Sequence, residues 1–259
     1  MRIGFRALLF PPKCPSCGAL LDFVGFGKVS DPLCEACKRR WSSELLDSCG
    51  ICGKPVSACD CMTEEMQKAG FTGFRKRVYY RHGVRSAMQN RILFKIKEGP
   101  AAGAVAFLAD ELEKSLIELL SKDGISKNAA VLCYFPRSRR SAAVSGTDQG
   151  RRLAEALSEK TGIPVIRAIR RRRGKEMQQK RLNSAQRRKN AKAAYALNPS
   201  ASVKDKTVIL IDDIVTTGST MAAGAGLLRR AGAERIYALS VAMDDAQKNG
   251  NLRQPTFRI

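Results

Sequence analysis

The 259-residue chain is 44% hydrophobic and carries 46 Lys and Arg against 24 Asp and Glu, a formal net charge of +22. That composition supports a packed core and excludes wholesale disorder, and no apolar run approaches the roughly 20 residues that span a bilayer. The length fits one mid-sized α/β domain plus a small accessory module. The charge is uneven: residues 135–200 hold 18 basic and 4 acidic groups, net +14. Such a field attracts polyanions, whether pyrophosphate, nucleic acid or an acidic partner.

Residues 1–10 mix charged and apolar side chains without the long apolar stretch or cleavage site of a secretion signal. A short amphipathic helix is expected there.

Eight of the nine cysteines fall within residues 14–61. Cys14 and Cys17, then Cys34 and Cys37, form two Cys-x-x-Cys knuckles at the spacing of a four-cysteine zinc ribbon. Cys49 and Cys52, then Cys59 and Cys61, form a second and tighter set. Gly18, Gly50 and Gly53 flank the knuckles, where the chain must turn to bring N–H groups toward sulfur. A module of about 60 residues has little core of its own, so bound zinc would supply its folding energy. The economical grouping is sequential, with Cys14, Cys17, Cys34 and Cys37 on one ion and Cys49, Cys52, Cys59 and Cys61 on the other. An interleaved pairing is also compatible with the spacing. Four thiolates close a zinc coordination sphere, so both sites read as structural. Thiolate ligands in place of disulfides fit a reducing, cytoplasmic location.

Residues 1–62 are thus expected to form a double zinc-ribbon module, 63–75 a linker, 76–250 the α/β domain and 251–259 a tail. A short strand is expected at 78–80 and a helix at 83–97. His82, the only histidine, precedes Gly83 and reads as a turn residue. Val105, Leu108, Leu112, Leu116 and Leu119 recur three or four apart, which predicts an amphipathic helix over 100–120. The run 129–135 predicts a buried strand, with Cys133 inert inside it. Leu153 and Leu157 carry a helix over 148–160, and Gly162 suits its C-cap. Further strands are expected at 163–166, 208–211 and 235–243, with a helix over 219–230. Strands alternating with helices make a parallel sheet covered on both faces.

The most informative stretch is Val208-Ile209-Leu210-Ile211-Asp212-Asp213-Ile214-Val215-Thr216-Thr217-Gly218-Ser219-Thr220. A rigid strand delivers two acids to its C-terminal end, where ligands bind in such folds. Asp212 and Asp213 suit the two vicinal hydroxyls of a ribose. Thr216 to Thr220 would offer backbone N–H groups and hydroxyls at a helix N-terminus, which favours a phosphate. Gly218 permits close approach of backbone to ligand.

These thirteen residues resemble the phosphoribosyl pyrophosphate (PRPP) signature of type I phosphoribosyltransferases. The resemblance implies a PRPP site built from Asp212, Asp213, Val215, Thr216, Thr217, Gly218, Ser219 and Thr220, with the two acids also carrying catalysis and Mg²⁺ accompanying the ligand. Over nearly the whole chain the order of parts resembles the ComF family. The opening from Phe10 to Gly18, the approach through Tyr80, Gly83 and Lys95, and the series Pro136, Arg137, Arg139, Arg140, Gln149, Arg172, Gln179, Leu182, Asn183, Arg187 and Asn190 carry it. By that resemblance Pro136, Arg137, Arg139 and Arg140 form a pyrophosphate loop, and 170–190, with Arg172, Gln179 and Arg187, a flap over the site.

One segment departs. Ser145-Gly146-Thr147-Asp148-Gln149 stands where the family has Arg-Gly-Phe-Asn-Gln. Only Gly146 and Gln149 remain, which bears on turnover more than on ligand binding through the acids and the threonine loop. The family implies DNA uptake and natural transformation, with single-stranded DNA on the basic 135–200 region and uptake proteins as partners. If catalytic, the chain would transfer a phosphoribosyl group from PRPP with loss of pyrophosphate. The alternative reading is a conventional phosphoribosyltransferase acting on a nucleobase or amine.

Overall fold

A computed structural model describes residues 11–21, 23–24, 28–29, 32–99, 101–137, 148–172 and 193–247. The helix expected over 1–10 lies outside them, as do Arg139, Arg140, Gln179 and Arg187.

The described residues of the cysteine-rich part include a hairpin of two-residue strands, β1 (Phe23–Val24) with β2 (Lys28–Val29), and an α-helix, α1 (Glu35–Leu45). The turns at Cys14–Cys17 and Cys49–Cys52 are alike. Lys13 bridges Leu20 around Cys14 and Cys17, and Ser48 bridges Pro55 around Cys49 and Cys52. In each turn the first cysteine carbonyl accepts from a left-handed glycine, Gly18 at 2.9 Å and Gly53 at 2.8 Å. The segment read as a linker holds helix α2 (Glu64–Lys68), capped by Thr63.

The α/β part is built on a four-stranded, all-parallel sheet. Its strands are β3 (Gly73–Tyr80), β4 (Ala130–Tyr134), β7 (Thr207–Val215) and β8 (Arg235–Asp244), in the order β3-β8-β7-β4. The apolar run Val208, Ile209, Leu210 and Ile211 is fully buried, as a central strand covered on both faces must be. One face packs on α3 (Met88–Glu98), α4 (Ala102–Lys122) and α5 (Gln149–Thr161), with Trp41 of α1 edge-on to Phe107 at 4.9 Å. The other packs on α6 (Ser219–Arg230) and on a small antiparallel pair, β5 (Ile169–Arg171) with β6 (Tyr195–Leu197). No helix among the described residues is long and apolar enough to cross a membrane.

The amphipathic reading of α4 holds, since its five periodic apolar residues are all buried. Gly162 is the left-handed C-cap of α5, at φ 76°. The third helix begins at Met88, not at residue 83. Gly83 adopts φ 76°, and Asn90 reaches back to the carbonyls of Arg81 and Val84, so the intervening residues form a stitched turn. Strand β3 starts five residues before the expected 78. The 163–166 strand shrinks to a single parallel bridge from Val165 to Leu132. The β5–β6 pair has no local signature, because each strand is three residues long and its partner is distant in sequence.

Candidate functional site

Strand β7 carries Asp212 and Asp213 beyond its last pairing with β4, at Ile211, while it still pairs with β8 through Val215. Ile209 and Ile211 belong to the apolar cluster on the α3–α5 face, whereas Val208 and Leu210 belong to that on the α6 face. Period-two alternation therefore directs the neighbouring acids to opposite sides. Asp213 meets Lys97 of α3, with Nζ 3.1 Å from its Oδ2, and Gln149 of α5, whose Nε2 is 3.4 Å from the same oxygen. Its Oδ1 accepts from the Ile214 amide at 2.8 Å. Asp212 accepts from the Asp213 amide at 2.9 Å.

The two carboxyls titrate in opposite directions. Burial, and then the adjacent Asp213 charge, push Asp212 well above the usual carboxylate range. Burial would raise Asp213 too, but the Lys97 ammonium outweighs it and holds Asp213 below its ordinary value. As a coupled pair, Asp212 therefore holds its proton more tightly than Asp213 does. A protonated acid donates a hydrogen bond and an ionised one accepts.

Beyond the acids the chain turns through the threonine loop into α6. Gly218 is its N-cap, at φ 79° and with no capping side chain, so the helix presents backbone N–H groups at its start. The hydroxyls of Thr217 and Ser219 lie 2.9 Å apart beside them. Thr216 is exposed. Val215 is only 2% exposed within the α6-side core, so a ligand can meet its backbone alone.

Of the residues assigned by resemblance to the pyrophosphate loop and flap, Pro136 is buried at the end of β4, and the Arg137 amide donates to Asp148 at 3.2 Å. Asp148 also caps α5 by accepting from the Arg151 amide at 3.3 Å. Asp148 in the departing segment thus ties the turn after β4 to the start of α5. Gln149, retained from the family pattern, contacts Asp213. Arg172 is exposed, and its Nε donates to the Tyr195 carbonyl at 3.1 Å, extending the β5–β6 pair.

Sequence reasoning missed Lys97 and Tyr195. Lys97 stands two residues from Lys95, and nothing local distinguishes them. Tyr195 packs on Phe135 with centroids 5.2 Å apart and lies under the Arg171 guanidinium at 5.5 Å. Burial first, then Asp212 and Asp148, push its hydroxyl up to about 12, although Arg171 pulls the other way.

The cysteines form two groups: Cys14, Cys17, Cys34 and Cys37; and Cys49, Cys52, Cys59 and Cys61. Within each group the four Sγ atoms lie within 4.8 Å of one another. A tetrahedral zinc with Zn–S near 2.3 Å separates its sulfurs by roughly 3.8 Å, so each group fits one ion and the sequential pairing stands. Burial disfavours ionisation of Cys14 and Cys49. Backbone N–H groups of Cys17, Cys34 and Ser16 nevertheless bring Cys14 down to about 7, and those of Cys52 and Ile51 bring Cys49 to about 6. Lys76 of β3 is fully buried against the second group, with Nζ 3.3 Å from Cys59 Sγ and 3.0 Å from the Cys61 carbonyl. A buried ammonium there offsets the excess negative charge of a four-thiolate centre.

A phosphoribosyl transferase domain model matches residues 144–258. The ribose-phosphate pyrophosphokinase of Nostoc sp. is 46% identical over 65 residues, covering 23% of this chain and 20% of that protein. Competence protein F of Haemophilus influenzae is 35% identical over 112 residues, covering 43% of this chain and 47% of that protein. The matched stretches thus span less than half the length of either relative. The purine phosphoribosyltransferase from Pyrococcus horikoshii OT3 aligns over 53% of this chain and 74% of its own, at 21% identity and a TM-score of 0.33. Two four-cysteine clusters ahead of a segment that matches a phosphoribosyl transferase domain, with competence protein F among the relatives, agree with the order of parts by which this chain resembles the ComF family.

Proposed function

We propose that the protein binds a ribose 5-phosphate group, as PRPP or a related sugar phosphate, and serves DNA uptake in natural transformation. The observation that carries the first half is the sequence of parts at the end of β7. Two adjacent acids, Asp212 and Asp213, precede a helix N-terminus capped by left-handed Gly218. Asp212 and Asp213 engage the vicinal hydroxyls, with Asp213 fixed from behind by Lys97 and Gln149. The phosphate sits on the amides and hydroxyls of Thr216 to Thr220, where partial positive charge and unpaired donors coincide. A ribose-phosphate pyrophosphokinase among the relatives supports a sugar-phosphate ligand.

Paired carboxylates are oxygen donors suited to Mg²⁺, and Asp212 and Asp213 are the residues that would hold it beside the ribose. When bound, Mg²⁺ neutralises pyrophosphate and favours its departure. The side chains of the basic 135–200 region, Arg137, Arg171 and Arg172 among them, would add positive charge around the leaving group. Phosphoribosyl transfer is thus within the chemistry of the site.

The net +14 of residues 135–200 supports single-stranded DNA as partner, since arginines both pair with phosphate and stack on bases. The relationship to a protein named competence protein F supports the uptake role.

Phosphorus NMR of ribose 5-phosphate tests the first half. Its resonance should shift with the wild-type protein and not with Asp212→Ala/Asp213→Ala. Anisotropy of a labelled oligodeoxynucleotide tests the second. Affinity should fall steeply with salt, and a flat response would remove DNA from the reading.

A further inference from the structure

The second cysteine cluster is wired into the phosphate loop. Cys61 is followed two residues later by Thr63, the N-cap of α2. A Cβ added at Gly218 would collide with Thr63 Oγ1 and would lie 2.8 Å from Met66 Cγ, so the α2 N-terminus rests directly on the loop glycine. The far end of the same segment grips α6 again, because the Arg229 guanidinium donates to the carbonyls of Ala69 and Gly70. Gly70 is left-handed, at φ 67°, and a Cβ there would run into that guanidinium. Residues 63–70 therefore lie as a strap along α6, touching both its first and its last turn.

The near end of the strap is anchored on the cluster. Lys76 holds Cys59 Sγ and the Cys61 carbonyl from the sheet edge. Asp60, between those two cysteines, pairs with Lys122 at 3.0 Å and with Arg75 at 3.7 Å. The first cluster joins the α/β part elsewhere, through Trp41 on Phe107 and Arg91 on Ser16.

We propose that the second cluster sets the position of the phosphate loop through this strap, and that Thr63 and Met66 are positioning residues for the sugar phosphate. The ligand half of the proposal rests on the sugar-phosphate reading above. A metal at Cys49, Cys52, Cys59 and Cys61 would fix Cys61 and hence the start of the strap. The strap in turn holds Gly218 and the helix amides that follow it. Loss or oxidation of those thiolates would then loosen phosphate binding at a distance, whereas loss of the first cluster would not. Couplings between such sites typically amount to about 5–150-fold in affinity.

The experiment uses full-length, zinc-loaded protein and two readouts: amide hydrogen exchange at residues 218–222, and calorimetric affinity for ribose 5-phosphate. Wild type is compared with Thr63→Ala, Thr63→Ser, Cys61→Ser in the second cluster and Cys17→Ser in the first. Thr63→Ala and Cys61→Ser should each speed exchange at 218–222 and weaken ribose 5-phosphate by about tenfold. Thr63→Ser and Cys17→Ser should leave both near wild type. Should Cys61→Ser fail to fold, the Thr63 pair decides alone. Unchanged exchange at 218–222 in Thr63→Ala, or an equal change in Cys17→Ser, would overturn the proposal. Exchange that responds while wild type fails to bind ribose 5-phosphate would uphold the strap and defeat the ligand assignment.

Discussion

Lys97 and Asp213 form an ion pair of 3.1 Å between α3 and the end of β7, with the lysine side chain 27% exposed and the aspartate 12%. The lysine charge sets the two adjacent acids apart, holding Asp213 below its ordinary value while Asp212 is raised. Lys97→Met would leave a buried carboxylate facing no cation. Breaking a fully buried pair costs about 3–5 kcal/mol; with Lys97 partly in water, about 1–3 kcal/mol is expected near pH 7. Asp213 is depressed in the folded state, so its contribution is present above the unfolded carboxylate value and is lost as pH falls through the folded one. In Lys97→Met that acid loss should begin at higher pH, and the gap from wild type should close toward pH 3. Thermal unfolding between pH 3 and 7 checks this, at roughly 2–4 °C per kcal/mol for a chain of this size.

Asp212 has the opposite sign. Its folded value is raised, so the folded state keeps a proton that the unfolded state releases, and stability falls as pH rises above about 4. Asp212→Asn cannot ionise and should remove that loss. Without ligand, its melting temperature should match wild type at low pH and exceed it by a few degrees at pH 7. Equal melting curves across the range would mean that Asp212 ionises freely in the folded protein.

Three glycines, Gly218 at the N-cap of α6 and Gly224 and Gly226 within it, should respond differently to alanine. Gly218 combines a left-handed backbone with Thr63 and Met66 in the path of a Cβ, so Gly218→Ala should cost about 1–3 kcal/mol or more. At Gly224 the ring of Phe135 and Leu210 Cδ2 would lie within 3 Å, and overpacking of that kind costs about 1–3 kcal/mol. Gly226 meets only the flexible end of Arg230 at 3.6 Å, so Gly226→Ala should stabilise by about 0.5–1 kcal/mol. Chemical denaturation of the three variants gives the ranking.

Metal analysis should find two zinc ions per chain. Cys17→Ser and Cys52→Ser should each retain one, because each of the eight clustered cysteines belongs to a single group of four. Loss of both ions from either variant would indicate a shared or interleaved centre.

What was legible in the sequence is what local pattern encodes. The run from Val208 to Thr220 announced a buried strand, its acids and the following turn, since burial, alternation and glycine conformation act within a few residues. The apolar spacing of α4 and the cysteine spacing were readable for the same reason. Lys97 was not, because its partner lies more than a hundred residues away and a lysine at a helix end usually faces water. The strap was read as a linker. A five-residue helix capped by a threonine carries little signal, and its importance comes from contact with Gly218 and Arg229. The adjacent acids read as one unit, yet strand alternation turned them to different partners.

On the function proposed, the end of β7 binds a sugar phosphate. The most direct test is calorimetric titration of PRPP with Mg²⁺ into the zinc-loaded chain, alongside Asp212→Ala/Asp213→Ala. Saturable binding to wild type that disappears in the folded double variant is the expected result. No heat with wild type at several temperatures, or equal binding to the double variant, would contradict the assignment.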